Sequence, residues 1–255
     1  MPRAKRTERY VNDADEIAND VCYKYFPVSV FEVERMGKLF MRGVQSTAVS
    51  SRLSFSPFPR DVAEWVARYF LRNRHDVFDP YAGWGERHAA CVADGKRYTG
   101  YDLSPSAIDH AQVHYNVTNL LRDSRDAPIP SCDAIFTCPP YFDIEKFDGD
   151  GLHRIKTWAE FLRSYEAVWK RCVEQLQPGG RVCVVVGDWR KNHVFYDFTF
   201  QTEAIFNRMG LVPFDKVILS HKRQAPLKAM IYQTKRLGYA CKVHQTLLVY
   251  DKPRQ

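Results

Sequence analysis

Three short segments of this chain carry residue types that can do chemistry together. The first is Phe78-Asp79-Pro80-Tyr81-Ala82-Gly83-Trp84-Gly85. It lies where an apolar run ends and a helix-compatible segment begins, the edge at which open α/β sheets bind ligands. Gly83 and Gly85 would let the backbone come close to a ligand, and the helix N-terminus beyond them could hold a carboxylate. A lone Gly-x-Gly is equally consistent with a structural turn. The second segment is Gly100-Tyr101-Asp102-Leu103, in which Asp102 lies 23 residues after Asp79. An acid at that spacing can accept both hydroxyls of a ribose, although alone it could be a helix cap. The third is Thr137-Cys138-Pro139-Pro140-Tyr141. Two prolines fix the chain and remove two donors, so their carbonyls face a set direction. Tyr141 adds a flat face beside those carbonyls, an arrangement suited to an extruded base with an amine on its edge.

The elements that must position these segments alternate. Asp61–Leu71 has apolar residues at helical spacing, preceded by Pro59. Val77–Tyr81 predicts a strand, Glu86–Ala93 a helix, and Arg97–Leu103 the next strand. Ser104 or Ser106 caps a helix running towards Leu120. Asp133–Thr137 predicts a buried strand, and Trp158–Leu176 a long amphipathic helix stopped by Pro178-Gly179-Gly180. Val182–Val186 is all apolar, as in strands buried on both faces. A helix over Phe198–Met209 and strands over Val212–Leu219 and Thr246–Tyr250 complete the pattern. The expectation is an α/β fold with a doubly wound, mostly parallel sheet. Its third strand is poorly marked, since residues 121–130 hold no apolar run. Residues 1–53 read as an irregular N-terminal extension and 54–255 as the catalytic domain.

Charge is informative by location. The net charge is +7, and Leu211–Gln255 alone holds nine Lys/Arg against two Asp/Glu. A segment so biased fits a polyanion or is a solvated basic face. The candidate contact region is 220–241, with Lys222, Arg223, Lys228, Lys235 and Arg236 among Tyr232 and Tyr239. Seven scattered cysteines without a C-x-x-C pair fit reduced thiols rather than a disulfide frame or zinc site. No metal constellation, membrane-length apolar run or secretory pattern is expected, which points to a cytoplasmic protein.

Asp79-Pro80-x-x-Gly83-x-Gly85 resembles the cofactor loop of amino-methylating DNA methyltransferases, and Cys138-Pro139-Pro140-Tyr141 resembles their Asp/Asn/Ser-Pro-Pro-Tyr motif. Ser56-Pro57-Phe58-Pro59 is similar to the segment that closes over the methionine end of the cofactor. Pro178-Gly179-Gly180, Val186-Gly187-Asp188 and Lys242-Val243-His244-Gln245 extend the likeness to a phage-type group of DNA modification methylases, from about Ser54 to Lys252. The resemblance implies a seven-stranded Rossmann-like methyltransferase fold, S-adenosylmethionine as cofactor and DNA as partner. It implies that Phe58, Asp79, Pro80, Ala82, Gly83, Gly85, Asp102, Leu103, Asp123 and Ser124 bind the cofactor. It gives Cys138, Pro139, Pro140 and Tyr141 to catalysis on an exocyclic amine. Thr137-Cys138 is nearest to the Thr-Ser-Pro-Pro-Tyr form associated with cytosine, which favours cytosine over adenine.

Cys138 departs from the pattern, because a thiol is a weak acceptor. It opens a second reading, covalent attack and methylation at carbon 5 of cytosine, against which stands its place before the Pro-Pro pair rather than after a proline. Further alternatives are an RNA or protein-amide methyltransferase, a non-catalytic DNA-binding module on this fold, and transfer of a group larger than methyl.

Overall fold

Strands with apolar residues at every position need cover on both faces, and the helices between them supply it. The computed structural model describes residues 28–33, 57–144, 147–221, 234–240 and 242–254. In chain order the strands are β1 (Val30–Val33), β2 (Asp76–Asp79), β3 (Arg97–Asp102), β4 (Leu120–Leu121), β5 (Cys132–Thr137), β6 (Leu176–Val186), β7 (Trp189–Lys191), β8 (Val194–Tyr196), β9 (Val212–His221) and β10 (His244–Asp251). Helix α1 spans Arg60–Trp65 and runs on through a π turn at Val66–Phe70. Helices α2 (Glu86–Ala93), α3 (Pro105–Tyr115), α4 (Trp158–Gln175) and α5 (Phe198–Arg208) follow.

The main sheet has the order β1-β9-β10-β6-β5-β2-β3-β4. Only β10 runs against its neighbours, β6 and β9; the other pairings are parallel. The sheet therefore has eight strands rather than the expected seven. The extra one is β1, from a stretch whose sequence shows no strand period. It pairs parallel with β9, Val30 opposite Ile218. The poorly marked third strand exists as β4, only two residues long and exposed.

Side chains alternate across the sheet as the pleat requires. Val182, Val184 and Val186 of β6, with Ile135 and Leu248, pack under α4 and α5. Cys183 and Val185, with Ala134, Phe136, Leu247 and Val249, pack against α1 and α2. Each fully buried Val, Leu, Ile or Phe among them contributes about 1.5–3 kcal/mol, which is why the central parts of β5, β6 and β10 tolerate few polar residues. Ser104 caps α3 by accepting from the Ala107 N–H at 3.2 Å, and Thr157 caps α4 by accepting from Glu160 N–H at 3.2 Å. Helix α3 stops early, with Asn116 left-handed at φ 53°. Chain order reverses between β2 and β5, so the turns after these two strands face each other across a crevice, the usual place for a ligand in such sheets.

Candidate active site

The turn after β2 is held from below by Asp79. Its carboxylate is fully buried and accepts from Arg87 Nε at 2.7 Å, Tyr98 Oη at 2.6 Å, Tyr81 N–H at 2.9 Å and Thr137 Oγ1. Arg87 also donates from Nη2 to the Tyr81 carbonyl at 2.6 Å. Burial works against the Arg87 charge, but the Asp79 carboxylate more than offsets it, so the guanidinium is held above its usual range. Asp79 thus shapes the loop and joins β2 to the Thr137 end of β5. It does not line the cavity, and neither do Ala82 and Gly85. Gly83 does, with φ +60°, a backbone conformation that favours glycine; a Cβ there would make only ordinary contacts, 3.8 Å from Arg87 Nη2 and 3.9 Å from the Tyr81 carbonyl. Gly85 has a different reason to be glycine: a Cβ there would lie 2.7 Å from the Ala111 Cβ, so it permits α2 to pack on α3.

Asp102 ends β3 at the rim. It accepts from Gly83 N–H at 2.7 Å and Ser104 N–H at 2.9 Å, and burial raises its carboxyl above the usual range. Lone pairs remain on both oxygens. Phe58 is set over the turn by the Arg87 guanidinium, 4.8 Å from its ring centroid, and by edge contact with Phe136. Ser124 donates to the Pro80 carbonyl at 2.9 Å. Asp123 is paired with Arg125, Nη2 to Oδ2 at 2.6 Å. Burial would raise the Asp123 carboxyl, but the Arg125 bonds outweigh it and hold it low. The segment 147–153 closes this end. Asp148 accepts from the Ser104 and Ser106 hydroxyls and from Ser106 N–H; burial opposes these bonds, yet they keep its carboxyl below the usual range.

At the other end, the Tyr141 ring stacks on Trp189 with centroids 5.3 Å apart and planes 6° off parallel. Trp189 stacks in turn on Tyr196 at 5.2 Å. Gln245 Nε2 donates to the Tyr141 oxygen at 2.6 Å. The ring is therefore fixed both in plane and in rotation before any ligand arrives. Asp188 lines the cavity and also caps α5, accepting from Thr199 N–H at 2.9 Å through one of its oxygens.

One cavity of about 580 Å³ joins both ends. Phe58, Pro80, Gly83, Asp102, Leu103, Asp123 and Ser124 line it together with Cys138, Pro139, Pro140 and Tyr141. Sequence reasoning missed Asp148, His153, Trp189 and Gln245 on its wall. Gln245 stood in a noted motif, while the others follow no spacing that could have marked them. His153 Nε2 and Trp189 Nε1 are buried on this wall without a hydrogen-bond partner among the described residues. A ligand with polar edges at both ends would satisfy them. Of the basic candidates, Lys235 and Arg236 are exposed on a short helical turn at 234–237, and Lys222, Arg223 and Lys228 lie outside the described residues. Among the described residues no His/Cys/Asp/Glu group could hold a metal ion, and no helix is long and apolar enough to cross a membrane.

No family model matches the chain, and no curated protein matches it in sequence. Solved structures do match. The N-methyltransferase NodS from Bradyrhizobium japonicum WM9 aligns with TM-score 0.53 and 16% identity, covering 79% of this chain and 100% of its own. Its complex with S-adenosyl-L-homocysteine aligns at 0.51 and 15%, over 85% and 98%. An S-adenosylmethionine-dependent methyltransferase from Methanosarcina mazei aligns at 0.51 and 10%, over 79% and 100%. The chain has the Rossmann-like fold of class I S-adenosylmethionine-dependent methyltransferases.

Proposed function

We propose that this protein is a DNA methyltransferase that moves a methyl group from S-adenosylmethionine to an exocyclic amine, cytosine in preference to adenine. The observation that carries the reading is that Asp102, at the end of β3, and the Cys138–Tyr141 turn line one cavity. Residues 54–255 form the catalytic domain in this reading, with 220–241 contacting DNA.

The residues present suit the cofactor. Asp102 would take the ribose hydroxyls, Gly83 offers bare backbone, Phe58 covers the methionine end, and Leu103, Asp123 and Ser124 surround the adenine. When bound, the cofactor supplies a methyl group already activated on a sulfonium. The protein then has to position and desolvate. An exocyclic amine is a poor nucleophile because its lone pair is delocalised into the ring. The Pro139 carbonyl, helped by Cys138, accepts hydrogen bonds from the amine and favours a pyramidal nitrogen. Tyr141, backed by Trp189, stacks on the extruded base and aims it.

Mass spectrometry of nucleosides from DNA co-expressed with the chain tests the reading: N4-methylcytosine or N6-methyladenine is expected. Unmodified DNA alongside methylated RNA or protein would overturn it. A separate measurement tests the cofactor end. Asp102→Ala should weaken S-adenosylmethionine binding by about 1–3 kcal/mol, the range for lost charge-assisted hydrogen bonds. Unchanged affinity by calorimetry would remove Asp102 from the site.

The basic segment makes its own prediction. Replacing Lys235 and Arg236 with Ala should weaken DNA binding and lower the salt slope by about 1–2, for two lost phosphate contacts. An unchanged slope means that these two side chains face solvent in the complex.

A further inference from the structure

Between β6 and α5 the chain makes a small hairpin that none of the sequence motifs covers. β7 and β8 pair antiparallel, Trp189 opposite Tyr196, Arg190 opposite Phe195, and Lys191 opposite Val194. The two-residue turn is Asn192-His193, both at positive φ (49° and 67°), as such hairpin turns require. The pleat sorts the side chains. Trp189 and Tyr196 lie on the inner face and complete the ring stack behind Tyr141. Arg190 and Phe195 lie on the outer face, exposed.

That outer face is unusual. The Phe195 ring holds two cations at once, the Arg190 guanidinium at 5.0 Å and the Lys242 ammonium at 4.9 Å. Arg190 also stands 4.2 Å over the Tyr239 ring. Like charges held on one ring repel, and neither has a carboxylate within ion-pair distance among the described residues. The neighbouring acids are committed elsewhere: Asp143 to Lys191 at 2.7 Å, Asp188 to the α5 cap, and Asp197 to Gln201. The Lys191–Asp143 pair ties the hairpin to the turn that follows Tyr141. Lys242 also lines the cavity, and Arg190 stands beside it on the shared Phe195 ring. Tyr239 itself follows, two residues on, the turn at 234–237 that bears Lys235 and Arg236.

We propose that the β7–β8 hairpin is a DNA-contacting element, in which Phe195 holds Arg190 and Lys242 as a paired phosphate site beside the cavity. The inference rests on the DNA reading above and adds to it where the strand beside the extruded base is gripped. A phosphate between the two cations relieves their repulsion. Each keeps an aromatic partner, so little side-chain freedom is lost on binding.

The test is binding of a duplex oligonucleotide by fluorescence anisotropy over a salt series. Arg190→Ala and Lys242→Ala should each weaken binding about tenfold at low salt and reduce the log–log salt slope by about 1, the pair together by about 2. Arg190→Lys, which keeps the charge, should keep the slope. Phe195→Leu should weaken binding with little change in slope, because the cations remain and lose their common seat. S-adenosylmethionine affinity of Arg190→Ala, by calorimetry, should match the wild type and shows that the chain is folded. A wild-type protein that binds DNA while these variants keep its affinity and slope overturns the hairpin assignment and leaves the DNA reading standing. A wild-type protein that binds no DNA, or prefers RNA of the same sequence, overturns both, and the wild-type arm alone reports that outcome.

Discussion

Arg87→Met should cost about 3–5 kcal/mol of stability, the usual penalty for removing one partner of a buried ion pair. Asp79 and Arg87 side chains are 0% and 5% exposed. Methionine replaces the volume and the packing of the stem, but nothing then balances the Asp79 charge. The donors from Tyr98, Thr137 and Tyr81 remain, and they solvate the carboxylate only partly. The loss should appear as a lower midpoint in urea with an unchanged slope. Arg87 also holds the Tyr81 carbonyl, so S-adenosylmethionine affinity should fall along with stability. Asp79→Asn should cost less, because the amide still accepts from Arg87 and leaves a cation that can reach the cavity wall. An unfolding free energy for Arg87→Met within about 0.5 kcal/mol of wild type, the range of ordinary surface substitutions, would show that the pair does not carry the loop.

That pair also marks how far the sequence could be read. The order of strands and helices was legible, because the central parts of β5, β6 and β10 are buried on two faces and are almost all apolar. So was the union of the two motif ends, since Asp102 ends one strand and Tyr141 follows another, and both strands stop at one sheet edge. The role of Asp79 was not. Its motif marks a turn, but whether its carboxylate points at a ligand or into the core depends on Arg87, Tyr98 and Thr137, which only the fold brings together. Gly85 stands in the turn that its motif marks, but the packing that requires glycine there, against Ala111 on the next helix, could not be read from the motif. β1 and β4 escaped because a four-residue edge strand and a two-residue one are too short to show a period. The hairpin escaped for another reason. Its Trp-Arg-Lys and Val-Phe-Tyr runs are brief, and its turn, Asn192-His193, lacks the glycine that usually signals one.

The last expected result separates two chemistries at Cys138. The thiol lies at the cavity wall, partly buried and packed against the core face shared by Phe58 and Phe136. If it only supports the amine, Cys138→Ser should keep much of the activity, because a hydroxyl accepts a hydrogen bond at least as well as a thiol. Tyr141→Ala should lose far more. Stacking on an extruded base is worth about 1–3 kcal/mol, and the Trp189 stack and the Gln245 hydrogen bond show how firmly that ring is set in advance. Misaligned amines then pay again in the transfer step. Covalent attack at carbon 6 of cytosine predicts the reverse order. Serine would be nearly dead, since an unactivated hydroxyl is a much weaker nucleophile than a thiolate. DNA carrying 5-fluorocytosine separates the two without relying on rates. An enzyme that methylates the amine releases such DNA on denaturation. One that attacks through Cys138 stays bonded to it, because fluorine at carbon 5 cannot leave as a proton does. An adduct that survives denaturation in the wild type and is missing in Cys138→Ser would move the modification to carbon 5.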